Sequence, residues 1–146
     1  MSENIKLQLK KFIKAKRSQV FDAWTKQELI VQWFAPGSMT VPSAFADARV
    51  GGSYRVEMKG EMNGEPVNPT AAGIYKKIIP NELICFPWRC QGDPSPETIV
   101  TVELKDMSDG TEVTLTHERF ASNEAKEKHQ HGWIGCLDNL ADFCAK

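Results

Sequence analysis

The sequence has 146 residues, 41% hydrophobic and 25% charged, with 18 Lys and Arg against 19 Asp and Glu for a formal net charge of −1. That length suits one domain over residues 1–146, able to bury roughly 70% of the surface its unfolded chain would expose, and the composition excludes a disordered chain and a repeat array. The near-balance of charge provides no field to draw nucleic acid or an anionic membrane, so neither is expected as a partner.

Met1 to Lys10 is polar and holds no apolar stretch long enough for a signal-peptide core or a membrane span, which makes the cytoplasm the expected location. Ile5, Leu7 and Leu9 alternate with Lys6, Gln8 and Lys10, the period-two pattern of a half-buried strand over about residues 4–14. The run from Lys10 to Arg17 is locally basic, but its lysines alternate with or flank apolar residues, which favours a solvated face over a phosphate patch. Ser18 is placed to cap a short helix carrying Val20, Phe21 and Trp24. Thr25-Lys26-Gln27-Glu28 then reads as a capping box that opens a second helix burying Leu29, Ile30 and Trp33, and Pro36-Gly37 ends it.

From Val41 to Phe120 strands succeed one another with no helical segment between, which excludes parallel crossover units and predicts an antiparallel meander. Tyr54, Val56 and Met58 alternate with Arg55, Glu57 and Lys59 and form one buried face. Asn63-Gly64 supplies a turn, Glu65 to Thr70 lengthens that loop, and Ala72 to Ile79 resumes as one strand. Pro80-Asn81-Glu82 turns into Leu83 to Trp88, and residues 91–97 are loop by composition. The last hairpin pairs Thr98 to Lys105 with Thr111 to Arg119 across Ser108-Asp109-Gly110. A regular turn there puts Val100, Val102 and Leu104 on one face with Val113, Leu115 and His117, so that His117 points inward.

Beyond Ser122-Asn123, His129, Trp133, Cys136, Leu137, Leu140 and Cys144 recur at helical spacing, with Lys126, Glu127, Gln130, Asp138 and Asp142 opposite. This long C-terminal helix must lay its stripe on the sheet. Cys85, Cys90, Cys136 and Cys144 lack the paired spacing of zinc sites and read as reduced thiols, two of them as core residues. His129 and His131, two apart on a helix, diverge, and neither a metal site nor a cofactor is expected.

One strand, two short helices, an antiparallel sheet and a long terminal helix is also the order of the helix-grip fold of START domains and the birch-pollen-allergen (SRPBCC) superfamily. Val20-Phe21-Asp22-Ala23-Trp24-Thr25-Lys26-Gln27-Glu28-Leu29 followed by Gln32-Trp33-Phe34-Ala35-Pro36 resembles the signature of the AHSA-like family, homologues of the activator of the large heat-shock-protein ATPase. Asp47-Ala48-Arg49-Val50-Gly51-Gly52-Ser53-Tyr54, Gly73-Ile74-Tyr75, Gly110 to His117 and His131-Gly132-Trp133 with Leu137 to Leu140 are similar to further family segments, in the family's order. The resemblance implies an α+β helix-grip fold, a curved sheet of six or seven strands around the terminal helix, with a cavity between them. In the wider superfamily that cavity holds lipids, hormones or polyketide intermediates. The full activator also carries a separate N-terminal chaperone-binding domain, for which 146 residues leave no room.

The candidate ligand-binding residues are Trp33, Phe34, Arg49, Tyr54, Val56, Met58, Trp88, His117, Trp133 and Leu137. Trp33 and Phe34 would gate the cavity mouth or simply pack. Asp47 and Arg49, two apart on a strand, would share a face, as a surface ion pair or an anion site. Gly51-Gly52 resembles a phosphate loop superficially, but with no helix after it the pair reads as a bend in the sheet. The leading expectation is a non-enzymatic protein that binds a small apolar or amphipathic molecule. A cyclase or isomerase using His117 as acid–base and a chaperone-ATPase-regulating interaction protein, with chaperone or homodimer contacts, are the alternatives.

Overall fold

The computed structural model describes residues 5–35, 37–62, 64–92 and 96–145. In chain order the elements are β1 (Ile5–Ile13), α1 (Arg17–Thr25), α2 (Gln27–Trp33), β2 (Thr40–Ala46), β3 (Ser53–Met62), β4 (Glu65–Val67), β5 (Thr70–Ile74), β6 (Lys77–Ile79), β7 (Leu83–Trp88), β8 (Thr98–Met107), β9 (Gly110–Phe120) and α3 (Asn123–Cys144). Every pairing is antiparallel. The expected α+β architecture is present, with two short helices after the first strand and a long C-terminal helix.

The sheet is more divided than expected. Among the described residues nine strands form two sheets, one ordered β1-β9-β8-β7-β6 and one ordered β2-β3-β4 with β5 also on β3. Two corrections account for the difference from six or seven strands. Glu65–Val67, expected as loop, pairs with the end of β3 through Gly60–Val67 and Glu61–Pro66. The segment expected as one strand over Ala72 to Ile79 breaks at Tyr75-Lys76, where the Tyr75 amide bonds to Gly52 O at 2.9 Å and the Lys76 amide to Cys85 O at 2.9 Å. Adjacent amides thus serve opposite sheets, and the chain crosses between them. Pro36, Asn63 and residues 93–95, which carried parts of the expected helix stop, turn and loop, lie outside the described residues.

The helix caps also differ from expectation. Lys16, not Ser18, precedes α1, and its amide donates to Gln19 Oε1 at 3.1 Å. Lys26, not Thr25, precedes α2, and Thr25 is the last residue of α1. Its hydroxyl therefore turns back to Phe21 O at 2.8 Å, satisfying a carbonyl at the end of its own helix. Leu29 is half-buried while Ile30 and Trp33 are buried. Ser122 does cap α3, accepting from the Ala125 amide at 3.1 Å.

The β8–β9 hairpin has the expected register, with Val100 opposite His117, Val102 opposite Leu115 and Leu104 opposite Val113, all six buried. It closes with Met107 opposite Gly110, so the strands run further toward the turn than predicted. Trp133, Cys136, Leu137 and Leu140 of α3 are buried, with His129 and Cys144 half-buried at the ends of the stripe. Of the four free thiols, Cys136 alone is buried, where two core cysteines were expected. Cys85, Cys90 and Cys144 are half-buried. Lys11 of the basic run reaches Asp138 of α3 at 2.7 Å, and Arg17 lies 3.3 Å from Asp106, so this run is a solvated, ion-paired face.

Candidate functional site

The interior is dominated by rings brought together from α1, α2 and the residue after it, β7 and α3. Trp24 and Trp33 meet edge to face at 4.8 Å, Phe34 stands 5.8 Å from Trp133, and Trp88 lies 5.3 Å from Trp133. Such edge-on arrangements add to the energy of burial. Trp33 is fixed by its indole N–H, which donates to Ala23 O at 2.9 Å and ties α2 to α1.

Beneath this cluster runs a directed polar chain. Trp133 Nε1–H donates to His117 Nδ1 at 2.9 Å, and an indole nitrogen can only donate. Nδ1 is therefore the lone-pair nitrogen, and His117 carries its proton on Nε2, which donates to Thr98 Oγ1 at 2.6 Å. The Thr98 hydroxyl passes its own hydrogen to Trp88 O at 2.9 Å. His117 is fully buried and both ring nitrogens are used. Burial, with a smaller contribution from neighbouring His129, pulls its pKa down to about 3, so the ring is neutral at physiological pH.

On the other side of Trp133 the interior is not filled. A pocket of about 270 Å3 opens between β3, β7 and α3, lined among others by Phe34, Met58, Trp88, Trp133 and Cys136. This lies near the lower end of the size of small-molecule sites, about 300–1,000 Å3. Its lining is mostly apolar, with Lys128 and His129 at one side. His129 Nδ1 meets Ala125 O at 2.8 Å, and since a carbonyl only accepts, the hydrogen sits on that nitrogen. Burial raises the pKa of the Cys136 thiol, which makes it a packing sulfur and not a nucleophile.

The family described as Activator of Hsp90 ATPase homolog 1-like protein matches residues 14–145. The chain belongs to this AHSA1 family. Similar solved structures include protein CV1439 from Chromobacterium violaceum, at 24% identity and TM-score 0.85 over 97% of both chains. Others are the AHSA1 protein SPO3351 from Silicibacter pomeroyi (22%, TM-score 0.83, 97% of this chain and 98% of that one) and an AHSA1-like protein from Aeromonas hydrophila (21%, TM-score 0.78, 97% and 92%). At these identities the likeness shows the fold. No curated protein matches the chain.

In this AHSA1 domain, Phe34, Met58, Trp88 and Trp133 of the expected residues line the pocket together. Trp33 borders a separate groove with Val31 and Asn139. Tyr54, Val56 and Leu137 are buried but are not among the pocket's lining residues. His117 is not among the pocket's lining residues and stands behind them, bonded to Trp133 and 5.0 Å from the His129 ring. Arg49 does not lie on a strand as expected. β2 ends at Ala46, and Arg49 follows in a turn, exposed and 3.0 Å from Asp47. It is placed as a surface ion pair and does not line the pocket. Gly51 and Gly52 shape that same turn: Gly51 has φ +86°, and a Cβ on Gly52 would run into Asp47 O.

Met39, Cys90, Lys128, His129 and Gly132 line the pocket without having been singled out. For His129 a signal existed in the stripe itself, since it sits one helical turn before Trp133 on the same face of α3. No group of three or more His, Cys, Asp or Glu is placed to hold a metal ion among the described residues. No described helix is long and apolar enough to cross a membrane.

Proposed function

We propose that this AHSA1-family chain is a cytoplasmic binding protein, acting as a single domain over residues 1–146, that takes a small apolar or amphipathic molecule between β3, β7 and α3. The observation that carries this reading is the open, mostly apolar pocket beside Trp88 and Trp133. The aromatic walls provide area, and Lys128 and His129 at the side provide polarity where a ligand's polar end would emerge.

The acid–base reading of His117 gains nothing from the geometry. Its ring is neutral, fully buried and engaged at both nitrogens, so it has no lone pair or proton to offer a substrate without breaking the chain through Trp133. The chaperone-regulating reading rests on the family name alone.

Titration with a solvatochromic dye, together with native mass spectrometry against a metabolite extract, tests the proposal. The expected result is a blue-shifted, saturable dye signal that Trp88→Ala weakens, and retention of a small-molecule mass. Absence of both a dye response and a retained mass would overturn it.

A further inference from the structure

A second hollow of about 330 Å3 adjoins the apolar pocket, bounded by the end of β7, Pro96 and Thr98, and the first turns of α3. The two share Trp88, Cys90, Lys128 and His129, so they lie side by side along those residues. Their chemistry differs. The first presents Phe34, Met58, Trp133 and Cys136. The second adds Arg89 and Glu124 to the shared Lys128, which makes two cations against one carboxylate among the described residues that line it. Lys128 belongs to both, as a side chain with an apolar stem and a charged tip can. Its ammonium is 3.6 Å from Glu124 Oε1 across an exposed i,i+4 pair, a partner it can exchange for another anion at little cost.

An apolar chamber beside a hollow bordered by Lys128 and Arg89 matches an amphiphile with a single negative head group. We propose that the ligand class of this site is a small carboxylic acid, its hydrocarbon or aromatic part held between Trp88 and Trp133 and its carboxylate met by Lys128 and Arg89. The inference rests on the pocket reading above and adds the sign of the head group. A carboxylate is preferred to a neutral polar end because charge-assisted contacts to an ammonium and a guanidinium repay its partial desolvation, while an alcohol leaves both cations with water and Glu124. A cationic amphiphile would meet like charge.

Three probes with the same eight-carbon chain separate these cases: octanoate, 1-octanol and octylammonium, each titrated by calorimetry and by displacement of the dye. Octanoate should bind about tenfold more tightly than octanol, with octylammonium weakest, and its affinity should fall as salt is raised. The double variant Lys128→Gln, Arg89→Gln should bring octanoate down to the affinity of octanol and leave octanol unchanged. Glu124→Gln, which frees Lys128 from its pair, should raise octanoate affinity, a gain that structural damage would not produce. Equal binding of acid and alcohol, indifferent to all three substitutions, would overturn the head-group assignment and leave the apolar pocket standing. Failure of every probe to bind or displace dye would overturn both.

Discussion

Trp133 borders two regions that are made of similar residues and behave differently. On one side its indole N–H enters a chain through His117 and Thr98 to the Trp88 carbonyl in which each donor has an acceptor. On the other side the site opens into a chamber lined by the same Trp88 with Phe34 and Met58. The difference teaches that the His117 chain is saturated where it meets Trp133, while the wall that Trp133 shares with Phe34 and Met58 offers a ligand apolar area. The histidine that looks most like a catalytic residue is fully buried with both ring nitrogens bonded, which offsets the cost of burying them.

The largest way to break that comparison is His117→Ala. It leaves the Trp133 N–H without its acceptor and a void beneath it, with an expected loss on the order of 3–4 kcal/mol in chemical denaturation. A comparable loss of ligand affinity in a variant that still folds, with stability unchanged, would contradict the structural role.

Acid probes the same group without mutation. The folded pKa of His117 lies at about 3, below the ordinary 6.5, so as pH falls below 6.5 the unfolded chain takes up a proton that the folded chain refuses. The stability from this group is therefore complete above pH 6.5 and is lost progressively toward pH 3, with a slope of at most about 1.4 kcal/mol per pH unit. His117→Gln should flatten the stability profile across that window relative to the parent.

The open side is sharpened by Gly132→Leu, which adds volume at a lining position on α3. Dye affinity should fall at least tenfold while stability holds or rises by up to about 1 kcal/mol from the better helix former. The smallest effect is expected from Ser122→Ala, which removes the cap of α3 beside the second hollow at a cost of about 1 kcal/mol in thermal or chemical unfolding. Its effect on the buried chain at His117 should be nil, as read from the pH profile.

The parts of this molecule legible in the sequence are those set by local pattern. The inward position of His117 followed from alternation along two strands and a short turn between them, and the α3 stripe followed from helical spacing. The passage of the chain from β5 to β6 was not legible, since Tyr75 and Lys76 look like ordinary strand residues and only their partners Gly52 and Cys85 reveal the crossing. The start of α2 was not legible because Thr25 can serve either helix, and its hydroxyl went to the one it ends. Of the site, the aromatic walls were found because large rings are conspicuous. Met39, Cys90 and Lys128 were not, because each becomes a wall only when segments remote in sequence converge.

The boundary between the two sheets bears on more than topology. Tyr54 of β3 donates its hydroxyl to the Pro87 carbonyl of β7, on a strand position that has no amide to leave unpaired. The Ala72 amide bonds to Arg89 O at 3.3 Å and the Gln91 amide to Thr70 O at 2.7 Å along the same line. Gly73 lets the strands close in, since a Cβ there would collide with Pro87. Met58 and Trp88, facing walls of the pocket, stand on opposite sides of this join. The width of the chamber is thus gauged by how two sheets are riveted together, and the helix acts as the lid on a slot whose gap was already set.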